Sequence, residues 1–199
     1  MPKSPHTRPR DNTQSFLFLL GSCLNNWQNV ENELFRIFVQ LLFTHHVGIA
    51  SILFSHIRAF DQRLVLIDKL AKHTLPAGPV LDEWVTLQKR LSAAGDQRHR
   101  IVHYQITSDK DHNWERKIEP PVYDFSRRVG TRAISPKDEK HYIGESALAK
   151  IMNEFALLPI ALRSFADRVD EISPIIQKAL EQDNLTLMAR LASTLKPQE

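Results

Sequence analysis

An apolar residue recurs at Phe16, Leu20, Cys23, Trp27, Val30, Leu34, Ile37 and Leu41, with steps of four and three alternating without a break. Only an α-helix brings such positions onto one side; a strand needs a step of two. Asp11 to Thr13 supply N-cap candidates just ahead of the series. A helix over residues 13–45, at about 1.5 Å per residue, is a rod of roughly 50 Å. A rod with one apolar stripe must bury that stripe against other elements.

The rest of the chain provides them. A second series runs through Ile49, Leu53, Ile57, Phe60, Leu64, Ile67 and Ala71, and Leu75-Pro76-Ala77-Gly78-Pro79 then interrupts the chain. A third runs through Val80, Trp84, Leu87, Leu91 and Ala94. Its next two steps fall on Arg98 and Ile101, so the stripe turns charged at Arg98. Residues 104–143 lack a helical period and hold Pro120-Pro121, Gly130 and Pro136. Short alternating pieces such as Val122-Tyr123-Asp124-Phe125 suggest an irregular insert with a short β-hairpin. The fourth series is Leu148, Ile151, Phe155, Leu158, Leu162, Phe165, Val169 and Ile172. Pro159 inside it removes a backbone hydrogen bond and predicts a kink. Ser173-Pro174 reads as an N-cap followed by Pro at a first helical position, which predicts short helices over 174–182 and 185–194. The expected fold is all-α: an antiparallel bundle of four to five main helices, with the insert before the fourth. Residues 1–12, Pro-rich and basic, are expected to be a disordered tail, and 13–195 a single helical domain.

Composition narrows the classes. An apolar fraction of 42 % supports a real core, and six glycines are too few for an all-β fold of many tight turns. One cysteine, Cys23, excludes an internal disulfide framework and points to a reducing, cytoplasmic setting. The apolar run Phe16–Leu20 is shorter than the about 7–15 residues of a secretory signal, and no run approaches the ~20 of a membrane span. The net charge of +3 and pI near 9.1 are compatible with nucleic-acid binding.

The densest polar cluster in any helical stretch is Gly95-Asp96-Gln97-Arg98-His99-Arg100-Ile101-Val102-His103-Tyr104. Arg98 and His103 stand in an Arg-x4-His spacing, His99 follows the Arg, and Ile101 and Val102 fill the turn before the second His. Here the chain resembles the HEPN superfamily, small helical bundles with an Arg-x4–6-His motif late in a core helix. The resemblance covers residues 13–172. It implies a metal-independent endoribonuclease, in many members a toxin or an effector of phage defence. It also implies a homodimer, RNA as substrate and, in toxin systems, an antitoxin protein as partner. His103 would be the general acid/base and Arg98 would stabilise charge on the phosphate, with His99 and Arg100 in support. The residue types suit the chemistry. Imidazole exchanges a proton near neutral pH, and a guanidinium presents a planar fork of donors to phosphate oxygens. One toxin branch carries a Tyr two residues after the His. Here Tyr104 follows directly and Gln105 holds that place, so control through such a Tyr is not expected.

Each of these residues also has a plainer role. Arg98 can serve as a cation near a helix C-terminus, and His103 can bond a loop carbonyl. A non-catalytic HEPN-like interaction or RNA-binding module is the alternative function, and an unrelated bundle with a fortuitous motif is a third. His99 and His103, four apart, share a face that can hold Zn²⁺. No acidic residue completes a zinc motif, Asp96 being the closest candidate, and neither a metal nor a cofactor is expected. His45-His46 suit the end of the first helix, and His112 and His141 fall in the insert. Lys110, Arg116, Lys117, Arg127, Arg128 and Arg132 stud that insert among Trp114, Tyr123 and Phe125, a mixture that suits single-stranded RNA. Asp111, Glu115, Glu119 and Asp124 dilute the charge, so a solvated loop is the simpler reading.

Overall fold

A computed structural model describes residues 13–44, 46–109, 115–119 and 142–194. The expected tail over 1–12, His45 and most of the insert, including the 122–125 pieces, His112 and His141, lie outside the described residues. Five helices are described: α1 (Thr13–Leu41), α2 (Val47–His56), α3 (Phe60–Thr74), α4 (Pro79–His103) and α5 (Glu145–Thr194). Between α4 and α5 lie β1 (Gln105–Asp109), β2 (Glu115–Glu119) and β3 (Ile143–Gly144), an antiparallel sheet in the order β1-β2-β3. The all-α bundle with a short hairpin before the last main helix is the observed class. The hairpin strands β1 and β2 fall upstream of the alternating pieces that suggested them, and β3 falls downstream.

The chain forms two compact units, Met1–Val30 with Ala93–Pro159, and Glu31–Ser92 with Ile160–Glu199. In the first, Phe16, Cys23 and Trp27 of α1 and Leu148, Ile151, Phe155 and Leu158 of α5 are buried. Trp27 meets Phe155 with ring centroids 5.1 Å apart, and Asn26 Nδ2 donates to the carbonyl of Met152 at 3.4 Å. Ser15 donates to Glu145. Residue numbers therefore rise together along α1 and α5, so this pair runs in the same direction. The sheet joins this unit through Ile118 and Ile143, register partners that are both buried. Arg116 Nε donates to Thr13 Oγ1 at 3.2 Å.

In the second unit Leu34, Ile37, Phe38 and Leu41 of α1 are buried, as are Leu64, Ile67, Trp84, Leu87, Leu162, Phe165 and Val169. Trp84 packs on Phe165 at 5.5 Å and donates its indole N–H to Asp68 Oδ1 at 3.2 Å. Gly78, at φ +143°, lies in a region that an L side chain rarely adopts. Pro79 follows at the first position of α4, where its missing N–H costs nothing. Together they turn α3 back into α4.

Three expectations are corrected. The first helix ends at Leu41 rather than at 45, and Phe43 follows with φ 47°. The second series is not one helix: Ile57 and Ala59, between α2 and α3, are extended. Arg63 holds this break, donating to the carbonyl of Ile57 at 2.6 Å and lying 4.9 Å from the ring of Phe54. On α2 the buried residues are Ala50 and Phe54, while Ile49 and Leu53 face solvent. Finally, no new helix starts at Pro174, because α5 continues through both Pro159 and Pro174 to Thr194. Leu158, Leu162 and Ile176 are buried around these prolines, and that packing outweighs the single hydrogen bond each removes. No helix among the described residues is long and apolar enough to cross a membrane.

Candidate functional site

The C-terminal turns of α4 continue the stripe that packs its first half. Trp84, Leu87, Leu91 and Ala94 are buried, and Ile101 is 5 % exposed. Arg98 falls between Ala94 and Ile101 on that inward face. It is half-buried, and its Nε is buried without a hydrogen-bond partner among the described residues. A buried polar atom left unpaired costs about 1–3 kcal/mol, more when charged. A Leu at this step would avoid that cost.

The other motif residues leave the stripe. His99 and His103 are both exposed, one turn apart, with ring centroids 4.5 Å apart and ring planes 46° apart. Arg100 lies with its guanidinium 5.8 Å from the ring of Tyr104. The amide of Tyr104 donates to the carbonyl of Arg100 at 3.0 Å, the last bond of the helix. Arg100 and His103 belong to the last turn, where the helix dipole favours cations. Gln105 begins β1 directly beyond.

Of the four residues singled out from the sequence, the structure thus brings His99 and His103 together and sets Arg98 on another face. Five residues of helix turn the direction by about 140°, and among the described residues no hydrogen bond joins Arg98 to His103. The pair as read from sequence is not a closed site within one chain. Two cationic groups and two imidazoles nevertheless occupy less than two turns of one helix end, beside the hairpin that follows. Among the described residues no group of three His, Cys, Asp or Glu side chains is placed to hold a metal ion.

A concavity of about 720 Å³ lies elsewhere in the same unit, at the start of α5, lined in part by Leu19, Arg116, Glu145 and Lys150. It contains none of the motif residues. In the sequence Arg116 stands out only as part of a basic insert, and nothing singles out Lys150. Both are ordinary surface cations by local pattern, and no periodic signal marks them. Lys117, next to Arg116, lies 4.4 Å from the ring centre of Tyr142. His46 precedes the first residue of α2 rather than capping α1.

No protein-family model, no curated protein and no solved structure matches this chain.

Proposed function

We propose that the chain is a metal-independent endoribonuclease of the HEPN type that acts as a homodimer, a toxin or phage-defence effector with an antitoxin as a fitting partner. The observation that carries this reading is Arg98: a guanidinium on a packed face, with a buried Nε that has no hydrogen-bond partner among the described residues. It serves stability poorly, and a phosphate would offer that nitrogen an acceptor. His99 and His103 stand exposed within the next five residues, open to solvent and substrate.

In the reaction the RNA 2′-hydroxyl attacks the adjacent phosphorus as a base takes its proton. An acid then protonates the departing 5′-oxygen, leaving a cyclic phosphate and a 5′-hydroxyl. His103 fills the acid/base role, Arg98 stabilises the phosphate charge, and His99 and Arg100 hold the flanking backbone. Attacking and leaving oxygens stand on opposite sides of phosphorus. Two rings 4.5 Å apart on one helix face reach a phosphate from one side only. A two-fold axis beside α4 supplies the same groups on the other side, and C₂ dimers are the commonest closed assembly.

The test is RNA cleavage by the purified protein with EDTA present, with cyclic-phosphate ends identified in the product. His103→Ala should lose at least ~10²-fold. Equal cleavage by variant and wild type would assign the activity to a contaminant and end the proposal. The separation of Arg98 and His103 on α4 favours a second reading, an RNA-binding module without catalysis. RNA retention with no cleavage by any preparation would select it.

A further inference from the structure

The face shared by His99 and His103 has a capacity that proton transfer does not use. We propose that the two imidazoles chelate one divalent transition-metal ion, and that this ion holds the ribonuclease off; the second half rests on the function proposed above.

Chelation by two side chains needs the right spacing, free nitrogen lone pairs and open space. Residues four apart on a helix sit one above the other. A metal ion stands about 2.0–2.1 Å from each ligating nitrogen, hence roughly 3.2 Å from each ring centre. Two rings at a right angle about the ion would then have centres roughly 4.5 Å apart, and at a tetrahedral angle roughly 5.2 Å. The observed separation is 4.5 Å. It matches the first geometry, and a small rotation of two exposed side chains reaches the second. Among the described residues neither ring is engaged in a hydrogen bond or an ion pair, so none of these residues competes for the nitrogens.

The donor set fixes the class of ion. Imidazole suits Zn²⁺, Ni²⁺ and Cu²⁺, whereas Mg²⁺ and Ca²⁺ require oxygen cages. Two ligands leave the remaining positions to water, as expected where no third His, Cys, Asp or Glu is in place among the described residues. This is an open clamp, unlike a closed structural zinc site. The consequence for catalysis is direct. A nitrogen whose lone pair binds the metal accepts no proton, and a dication at the site displaces the catalytic groups from the phosphate. The reaction that needs no metal is therefore one that a metal stops.

Calorimetric titration of the full chain with NiCl₂ tests the clamp without RNA. Wild type should show one tight site. His99→Ala and His103→Ala should each weaken it about 100-fold, the low end of the gain from an intramolecular second ligand. His73→Ala, an exposed histidine on α3, should leave it unchanged. Nickel should also raise the melting temperature of wild type and of His73→Ala but not of the two site variants. Unchanged affinity in His99→Ala or His103→Ala overturns the clamp. For regulation, saturating nickel should abolish RNA cleavage and excess EDTA should restore it. Cleavage that persists or rises at saturation overturns the inhibitory role. Absence of cleavage under every condition, with the clamp intact, overturns the ribonuclease reading and leaves the metal site standing.

Discussion

Arg163 donates to Glu33 through Nε at 2.9 Å and Nη2 at 2.5 Å, and both hydrogen bonds end on the same oxygen, Oε1. The other oxygen, Oε2, is buried without a hydrogen-bond partner, with Arg36 Nη1 3.9 Å away. Arg36 is itself held by Asp167 at 2.8 Å, and that hydrogen bond pushes its pKa above the ordinary guanidinium value. Glu33 is the one buried charged residue among those described. Arg163→Met should therefore destabilise the protein by about 1–3 kcal/mol, less than for a fully buried pair because the arginine side chain is largely exposed. The double variant Glu33→Met/Arg163→Met should recover most of that loss in urea unfolding. A double variant no more stable than the single one would show that an unpaired charge is not the cause.

Arg98 interrupts a packed stripe, so stability and function should pull against each other there. Arg98→Leu continues the apolar series and removes the orphaned Nε. It should raise stability by about 0.5–2 kcal/mol while abolishing RNA cleavage. A melt showing Arg98→Leu well below wild type would mean that the guanidinium is structural.

On α2 the inward residues are Ala50 and Phe54. Phe54 packs against Phe35 at 5.4 Å and Phe38 at 5.2 Å. Phe54→Ala should cost about 3–5 kcal/mol, whereas Ile52→Ser, at a site 70 % exposed, should stay within about 0.5 kcal/mol of wild type. Comparable losses would place the core face of α2 elsewhere.

Cys23 is fully buried, with its thiol 3.7 Å from the carbonyl oxygen of Leu148, and burial raises its pKa from 9.0 to about 11. Below pH 9 the thiol is protonated in folded and unfolded chains, and its contribution is complete. Between pH 9 and 11 only the unfolded chain ionises, so stability falls by about 1.4 kcal/mol per unit from this group. Cys23→Ala should show a shallower decline over that window in parallel urea titrations. A thiol reagent at pH 8 should leave the folded protein unmodified. Rapid labelling without unfolding would contradict the burial.

The long helices were legible because each carries one stripe. Along α1 the stripe residues from Phe16 to Leu41 are buried except Leu20, which is half-exposed. α2 was not legible in the same way. Its sequence, Val-Gly-Ile-Ala-Ser-Ile-Leu-Phe-Ser-His, carries apolar residues around most of its circumference, so the period that would select a face is weak. Its end carries neither Gly nor Pro, and what stops it is a tertiary contact, Arg63 on Ile57. Pro174 misled in the opposite direction: a local start signal was overridden by packing around Ile176. At the candidate site the spacing alone marked Arg98 as the foreign residue on an apolar face and paired His99 with His103. The orphaned Nε was not legible, because it depends on what packs against α4 rather than on α4 itself.

Beyond Ile176, every side chain of α5 from Gln177 to Gln182 is exposed. From Gln177 to Glu181 the helical hydrogen bonds have no buried face to enforce them, and isolated helical turns are marginal in water. The amides there should exchange with solvent through local fraying, in contrast to the slow exchange of Phe155 to Val169, where opening requires disruption of the core. A protease should consequently cut between 177 and 181 in the folded protein, because opening there does not require disruption of the core.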